Sequence, residues 1–273
     1  MFGFTGIIGA LITIQPDVMI WFRSILAATG ILLYILYKKK PLKISRKHLI
    51  QLLLTGLIIA VHWIGFYGAI KVSNVSITLA CFASSSFFAA LLEPLFHKRP
   101  IDIKELLFGA LVMAGISFIF KIESGHSFGI FLGLLAAFTS AIFTILNHKF
   151  VKSIDSSIIS FYELMGAFIG ISLYFIFVNP PSSNILEMSR SDWGYLLFLS
   201  IICTSLTFVA AVEIMKEISP YTVVLTVNLE PVYGIILAYF LLNEGDKISP
   251  SFYIAAAFIL FIVFFNSYLK SKK

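Results

Sequence analysis

The stretch from Leu49 to Ile70 reads LIQLLLTGLIIAVHWIGFYGAI and contains no lysine, arginine, aspartate or glutamate. As an α-helix it would extend about 33 Å at 1.5 Å per residue, slightly more than the roughly 30 Å hydrocarbon core of a bilayer. A backbone inside hydrocarbon must satisfy its own hydrogen bonds, and a helix does so. The stretch therefore predicts a membrane-spanning helix.

The rest of the chain repeats this pattern. Of its 273 residues, 59% are hydrophobic and 12% are charged, and the mean hydropathy is +0.97, which is far from the composition of a water-soluble domain. We therefore expect an all-α integral membrane protein with about ten transmembrane helices. The predicted spans are Phe2 to Ile14, Val18 to Tyr37, Leu49 to Ile70, Val75 to Phe96, Leu106 to Phe120, Phe128 to Phe150, Ile158 to Val178, Trp193 to Met215, Tyr221 to Leu242 and Phe252 to Leu269.

The basic residues report orientation rather than a nucleic-acid partner, because they lie between apolar runs. Lysines and arginines that flank a span are retained on the cytoplasmic side. With the N-terminus inside, 15 of the 20 basic residues fall in cytoplasmic connections and one, Arg23, falls inside a span. The remaining four are Lys71, Lys121, Arg190 and Lys247. This bias predicts a multi-pass protein of the cell (inner) membrane with both termini cytoplasmic.

Internal similarity divides the chain into two halves. Residues 30–34 (GILLY) align with residues 170–174 (GISLY) at a shift of 140, a register that places Arg23 opposite Glu163. Residues 72–79 align with residues 218–225 at a shift of 146. With an odd number of spans per half, the second copy must enter the membrane from the opposite face. We therefore expect two inverted five-helix repeats, the first half at residues 1–125 and the second half at 126–273.

The first predicted span is shorter than its counterpart in the second half. In the repeat alignment, Met1 falls opposite approximately Ala141, part-way along the run from Phe128 to Phe150. A helix over residues 2–14 would reach only about 20 Å at 1.5 Å per residue. We expect the first helix of the repeat to be truncated here, with the natural start of the protein upstream of Met1.

Other function classes find little support in the sequence. The two cysteines, Cys81 and Cys203, lie in separate apolar runs, so neither a disulfide framework nor a metal motif is expected. The sequence contains no G-x-x-x-x-G-K-[ST] loop, so energy would come from gradients rather than from ATP. It also contains no H-E-x-x-H motif, which disfavours an intramembrane metalloenzyme. We expect no cofactor and no metal ion.

The run NLEPVY at residues 228–233, followed by LLNE at 241–244, carries a family resemblance. Together with the ten spans, the repeat and an arginine in the second span, it makes the whole chain resemble the EamA-type drug/metabolite transporters. Glu230-Pro231 and Glu244 are similar to the E-P … G-E pattern that closes the second repeat of that family, with Asn243 where the family has glycine. The resemblance implies a bacterial inner-membrane carrier, often an exporter of amino acids or other small metabolites, with a cavity between the halves.

The first half matches that pattern less closely. Ser84-Ser85 stand at the position of Glu-Pro, Glu93-Pro94 follow nine residues later, and Lys98 replaces the terminal acid. The sequence therefore does not predict equivalent roles for the two halves.

Glu230 is the leading candidate for a transport site. An acid at the centre of a span costs about 2.5–3.5 kcal/mol on insertion, and Glu230 lies near the middle of the ninth span. Thr226 and Tyr233 fall on a neighbouring helical face at i−4 and i+3, and Pro231 removes a backbone donor and should break the helix locally. Glu230 would exchange a proton or contact the substrate; alternatively, it is a structural acid that fixes helix packing.

Arg23, His62 and Trp63 are the other candidates. Arg23 lies close enough to the outer face for its side chain to reach the interface, so an interfacial anchor, a partner of Asp17 and a substrate ligand are all open interpretations. His62 and Trp63 lie in the middle of the third span and could form an aromatic cavity wall, with an interhelical hydrogen bond as the alternative for His62.

Together these features predict a secondary transporter, an exporter of small metabolites that works by alternating access. Its partners would be a small-molecule substrate, protons and the lipid bilayer, and not nucleic acid, with a homodimer left open. A passive facilitator of the same fold and an intramembrane enzyme are the alternatives.

Overall fold

The computed structural model describes residues 2–98, 100–178, 180–181, 188–246 and 248–271, and within these ranges all regular structure is helical. Met1 and Lys247, which enter the predictions above, lie outside these ranges. The α-helices are α1 (Thr5–Leu11), α2 (Pro16–Tyr37), α3 (Arg46–Val72), α4 (Val75–Phe82), α5 (Ser85–His97), α6 (Ile103–Ile122), α7 (Ser127–Phe150), α8 (Ser156–Phe177), α9 (Arg190–Ser200), α10 (Thr207–Ile214), α11 (Pro220–Val227), α12 (Glu230–Leu241) and α13 (Pro250–Ser271).

Eight helical segments of the described chain are long and apolar enough to cross a bilayer, and Pro250–Asn266 forms a shorter apolar helix. Large apolar side chains such as Tyr37, Phe177 and Ile254 are more than 70% exposed, an arrangement that suits contact with lipid rather than water. The predicted all-α integral membrane fold is confirmed, and the count of ten helices is approximate. The division into two repeats at residue 125 stays a prediction.

Polar residues define where the helices begin. At six helix starts, the side chain of the residue before the helix accepts a hydrogen bond from a backbone amide of the first turn, which satisfies a donor that the helix itself leaves unpaired. These residues are Ser45, Asn74, Asp102, Asp155, Ser189 and Ser219. The observed ends of α3 and α6 lie within a few residues of those predicted from hydropathy.

Two of the predicted spans are interrupted in the middle. The fourth consists of α4 and α5, separated at residues 83–84, and the ninth consists of α11 and α12, separated at residues 228–229. The two interruptions bond to each other: Asn228 donates from Nδ2 to the carbonyl of Ala83 at 3.0 Å and accepts from Ser85 Oγ at 2.9 Å. Irregular backbone at membrane depth needs such internal partners.

The eighth span contains a third irregularity, a π-helical turn at Ile201–Leu206 between α9 and α10. Thr204 Oγ1 donates to the carbonyl of Leu199 at 2.7 Å, and Ser205 Oγ donates to the carbonyl of Ser200 at 3.1 Å. Both hydroxyls therefore bond to a carbonyl five residues earlier, the spacing of a π-helix. Such turns within α-helices are frequent at functional sites.

Glycines allow α3 and α8 to pack backbone against backbone. A Cβ atom on Gly56 would lie 2.1 Å from the carbonyl oxygen of Glu163, and a Cβ on Gly166 would lie 2.3 Å from the carbonyl oxygen of Leu53. No side chain fits at either position, so small residues define this contact.

Two acids accept hydrogen bonds from helix starts in the opposite half of the chain. Glu244 accepts from the amides of Val75 and Ser76 at 2.9 and 3.0 Å, and from Ser76 Oγ at 2.6 Å. Glu93 accepts from the amide of Tyr221 at 2.8 Å. The two halves therefore make corresponding contacts although Lys98 replaces the terminal acid in the first, because Glu93 performs this role from an earlier position.

Candidate functional site

A cavity of about 90 Å³ lies between the helices where the interrupted spans meet α2, α3 and α7. One water molecule needs roughly 10–15 Å³ of such volume, so the cavity has room for several waters or a small solute. Its wall is largely aromatic, with Trp63, Phe66, Phe82, Phe143 and Phe208. The polar residues that line it include Thr5, Arg23, His62, Asn147, Thr204 and Glu230.

Arg23 is buried in this cavity, with 3% of its surface exposed. Its Nε donates to Thr204 Oγ1 at 2.8 Å, its Nη1 donates to the hydroxyl of Tyr67, and its guanidinium carbon lies 4.2 Å from the centre of the Trp63 ring. A guanidinium over an aromatic face is attracted by the electron density of the ring. The interpretation of Arg23 as an interfacial anchor is wrong for this structure, since its side chain points inward.

Asp17 is not seen to bind Arg23. It accepts a hydrogen bond from the amide of Val18 at 2.8 Å, at the start of α2, where a carboxylate is stabilised by the helix dipole.

Glu230 lies in the same cavity and is 7% exposed. Its Oε1 accepts from Thr5 Oγ1 in α1 at 2.7 Å. It begins α12 directly after the interruption at residues 228–229, with Pro231 in the first turn, where the missing amide donor of proline costs no helical hydrogen bond. The structure thus places a carboxyl group at a helix start inside the membrane, next to an open volume.

Thr226 and Tyr233 lie away from Glu230. Both are exposed, Tyr233 by 59%, and neither lines the cavity. The interruption separates Thr226, in α11, from Glu230, in α12. Tyr233 shares α12 with Glu230, but its side chain is exposed while that of Glu230 is buried. We therefore correct the expectation of a shared face: these two residues face outward.

His62 and Trp63 both line the cavity, and His62 also makes a hydrogen bond between helices. Its Nδ1 lies 2.8 Å from the carbonyl oxygen of Ala136 in α7. Its ring lies among aromatic neighbours, 5.4 Å from Phe143 and 5.7 Å from Phe82 between ring centres. The two interpretations of His62 are therefore compatible: one ring nitrogen binds a neighbouring helix while the ring forms part of the wall.

Thr5, Tyr67 and Thr204 contact the charged groups but were not among the predicted residues. Isolated hydroxyls are common in membrane helices and carry no distinctive pattern. The adjacent Thr204 and Ser205 in an otherwise apolar run were the one available signal, and only the fold shows that Thr204 faces Arg23.

The site brings a guanidinium and a carboxyl group into one largely aromatic cavity. No ion pair joins them among the residues that the structure describes. Buried charges are normally paired, so the charges of a bound solute would supply the ionic partners that these two groups lack.

Comparison with known proteins agrees with this architecture. The model of the EamA-like transporter family matches residues 1–121 and 127–268. An "Uncharacterized transporter" of Archaeoglobus fulgidus is 25% identical over 182 residues, 66% of this chain; the alignment spans 63% of that relative's length. One protein of known crystal structure superposes with a TM-score of 0.67, covering 96% of this chain and 93% of that chain at 12% identity, which shows the fold alone. Since the family match extends over nearly the whole sequence, this chain belongs to the EamA-like transporter family.

Proposed function

We propose that this membrane transporter is a secondary carrier that exports small zwitterionic metabolites, such as amino acids, across the inner membrane. The observation that carries the proposal is the presence of Arg23 and Glu230, without an ion pair between them, in one buried cavity. A guanidinium presents a planar fork of donors that suits a carboxylate. A carboxylate in turn suits an ammonium group. A zwitterionic solute supplies both partners, while Trp63 and the phenylalanines of the wall accommodate an apolar side chain.

Alternating access is the mechanism that we propose. The first half (1–125) and the second half (126–273) would rock against each other around the cavity, as inverted repeats do. The contacts of Glu93 with α11 and of Glu244 with α4 join the halves at two separate places. Rocking would break one contact while the other holds, so that the cavity opens to one side at a time. We propose that both termini lie in the cytoplasm.

Glu230 would either take up a proton or hold the ammonium group of the solute during this cycle. Its only described hydrogen-bond partner is the hydroxyl of Thr5, which can stay bonded whether the carboxyl group is ionised or neutral. The neutral amide of Glu230→Gln keeps the shape but neither ionises nor attracts a cation.

The test is transport by Glu230→Gln in proteoliposomes that contain an equimolar mixture of the proteinogenic amino acids, quantified by mass spectrometry. We expect the variant to insert normally and to lose at least about tenfold in transport rate, equivalent to about 1.4 kcal/mol. Glu217→Gln is the matched control, because Glu217 is exposed and does not line the cavity. Full activity of Glu230→Gln across the pH range would exclude the proposed role. Accumulation against a concentration gradient distinguishes this carrier from a passive facilitator of the same fold.

A further inference from the structure

Glu163, in α8, is the most deeply buried acid among the described residues, with 0% of its surface exposed. Its one described side-chain partner is Asn147 in α7, whose Nδ2 donates to Glu163 Oε2 at 3.1 Å. Asn147 is also fully buried. The two remaining oxygens of this pair, Glu163 Oε1 and Asn147 Oδ1, are buried and have no hydrogen-bond partner among the described residues.

These two oxygens indicate the protonation state of Glu163. An ionised carboxylate can only accept hydrogen bonds, and so can the oxygen of an amide. If Glu163 were ionised, two buried acceptors would remain without a donor, whereas buried polar atoms are nearly always paired. A proton on Oε1 supplies the missing donor. The neutral acid and the amide then form a closed pair, with one hydrogen bond in each direction.

Among the residues that the structure describes, no cation is seen to stabilise an ionised Glu163. The helices packed against α8 include α2, α3 and α10, and Asn147 adds α7. On α2, Arg23 binds Thr204 and Tyr67; on α10, Glu213 binds Lys216. The other charged or titratable side chains on these helices are Asp17, Tyr34 and Tyr37 on α2, Arg46, Lys47, His48, His62, Tyr67 and Lys71 on α3, and His148 and Lys149 on α7.

None of these side chains forms a described ion pair with Glu163. An unpaired buried carboxylate costs several kcal/mol, so the neutral form is favoured here.

The place of Glu163 in the repeat and its contact with Asn147 connect this acid to the proposed transport site. In the repeat alignment Glu163 is the counterpart of Arg23, so each half contributes one ionisable group at the same place in its fold. Asn147 lines the central cavity and donates to Glu163, so this amide links Glu163 to the space that a solute would occupy.

We infer that Glu163 is a proton-binding site that exchanges its proton with the central cavity across Asn147. When the halves rock, the O–H bond at Oε1 breaks and a water molecule in the cavity accepts the proton. The carboxylate that remains still accepts a hydrogen bond from Asn147 Nδ2. The coupling of this proton to solute movement rests on the proposed function, whereas its presence on Glu163 rests on the geometry alone.

Infrared spectroscopy of the purified full-length protein tests the proton without any transport. We expect a C=O stretching band of a protonated carboxylic acid at neutral pH that disappears in Glu163→Gln and persists in Glu230→Gln. The hydrogen bond between Asn147 and Glu163 should influence the frequency of this band. Asn147→Leu removes that hydrogen bond, so a changed frequency in this variant is a second readout. A wild-type spectrum without a band that depends on Glu163 would overturn the inference.

Transport tests the coupling. Glu163→Gln mimics the protonated acid, since its amide can donate to Asn147 Oδ1, so we expect an unchanged melting temperature. In proteoliposomes with the amino acid mixture, it should equilibrate solutes but lose accumulation driven by an imposed pH gradient. Wild-type accumulation in this variant would overturn the coupling. If the wild-type protein moves none of these solutes, the proposed function fails, while the infrared result still decides whether Glu163 binds the proton.

Discussion

At the scale of single residues, the proposed transport site depends on how Arg23 is held. No acid neutralises it among the described residues; a hydroxyl from the π-helical turn, a phenol and an indole face hold it instead. Neutral partners fix the direction of the guanidinium without cancelling its charge. Under the proposed function, this charge would bind the solute, and Thr204 would be a positioning residue for it.

Thr204→Val should weaken solute recognition by removing the acceptor for Arg23 Nε while nearly preserving side-chain volume. We expect KM to rise about tenfold, equivalent to about 1.4 kcal/mol, with a smaller change in the maximal rate. Thr204→Ser retains the hydroxyl and should restore the wild-type KM. The matched control is Thr226→Val, which makes the same substitution at an exposed residue. An unchanged KM in Thr204→Val would show that this contact does not orient Arg23.

The residue scale also shows what the sequence could predict. Glu230 and Arg23 stand out because a charge within an apolar run is rare, and both prove to be buried in the cavity. The neighbours assigned to Glu230 by helical spacing, Thr226 and Tyr233, are both exposed. For Thr226 the spacing rule fails because the helix is interrupted at residues 228–229, whereas Tyr233 lies in the same helix as Glu230 and only the packing around α12 shows that it is exposed. Thr5 and Thr204 come from distant segments, and their contacts depend on tertiary structure.

At the scale of elements, the described helices differ from plain hydropathy spans at three places: the two interruptions and the π-helical turn. Hydropathy measures the length of an apolar run and is insensitive to the hydrogen-bond pattern of its backbone, so it predicts the ends of α3 and α6 but misses the interruptions. All three irregularities lie beside the cavity, where Asn228, Ser85 and Thr204 provide the hydrogen bonds that the backbone needs. The irregular backbone and the candidate site therefore lie in the same region of the molecule.

Gly166→Ala should destabilise the protein by disturbing the contact between α3 and α8. The added Cβ would lie 2.3 Å from the carbonyl oxygen of Leu53, so two backbones must separate, and overpacking of this kind costs about 1–3 kcal/mol. Thermal unfolding in detergent should show a lower melting temperature. Gly194→Ala in α9 is the control, because a Cβ there meets nothing within 4 Å and alanine favours a helix by about 1 kcal/mol. Equal melting temperatures for the two variants would contradict this packing account.

At the scale of the whole molecule, orientation in the membrane decides what each end of the cavity faces. The prediction rests on the bias of basic residues towards one set of connections, which include Lys38 to Lys47. Fold and orientation are independent questions, because the same helical bundle could be inserted either way. Only the charges at its two surfaces distinguish the two orientations.

Thiol labelling can establish the orientation. Lys43 and Lys121 are both exposed, and the two native cysteines are buried, so background labelling should be low. In right-side-out vesicles we expect a membrane-impermeant reagent to label Lys121→Cys and to leave Lys43→Cys unlabelled until the membrane is opened. Labelling of Lys43→Cys from outside would show that the protein has the opposite orientation in the membrane.

The hydrogen bonds of Glu93 with α11 and of Glu244 with α4 make the two halves depend on each other. Each half supplies a carboxylate that accepts hydrogen bonds from backbone amides at a helix start in the other half. In either half alone, the carboxylate would lack these donors and the helix start would lack this acceptor. Neither half could therefore satisfy all the amides at these helix starts without the other, so separating the two would expose backbone donors at membrane depth.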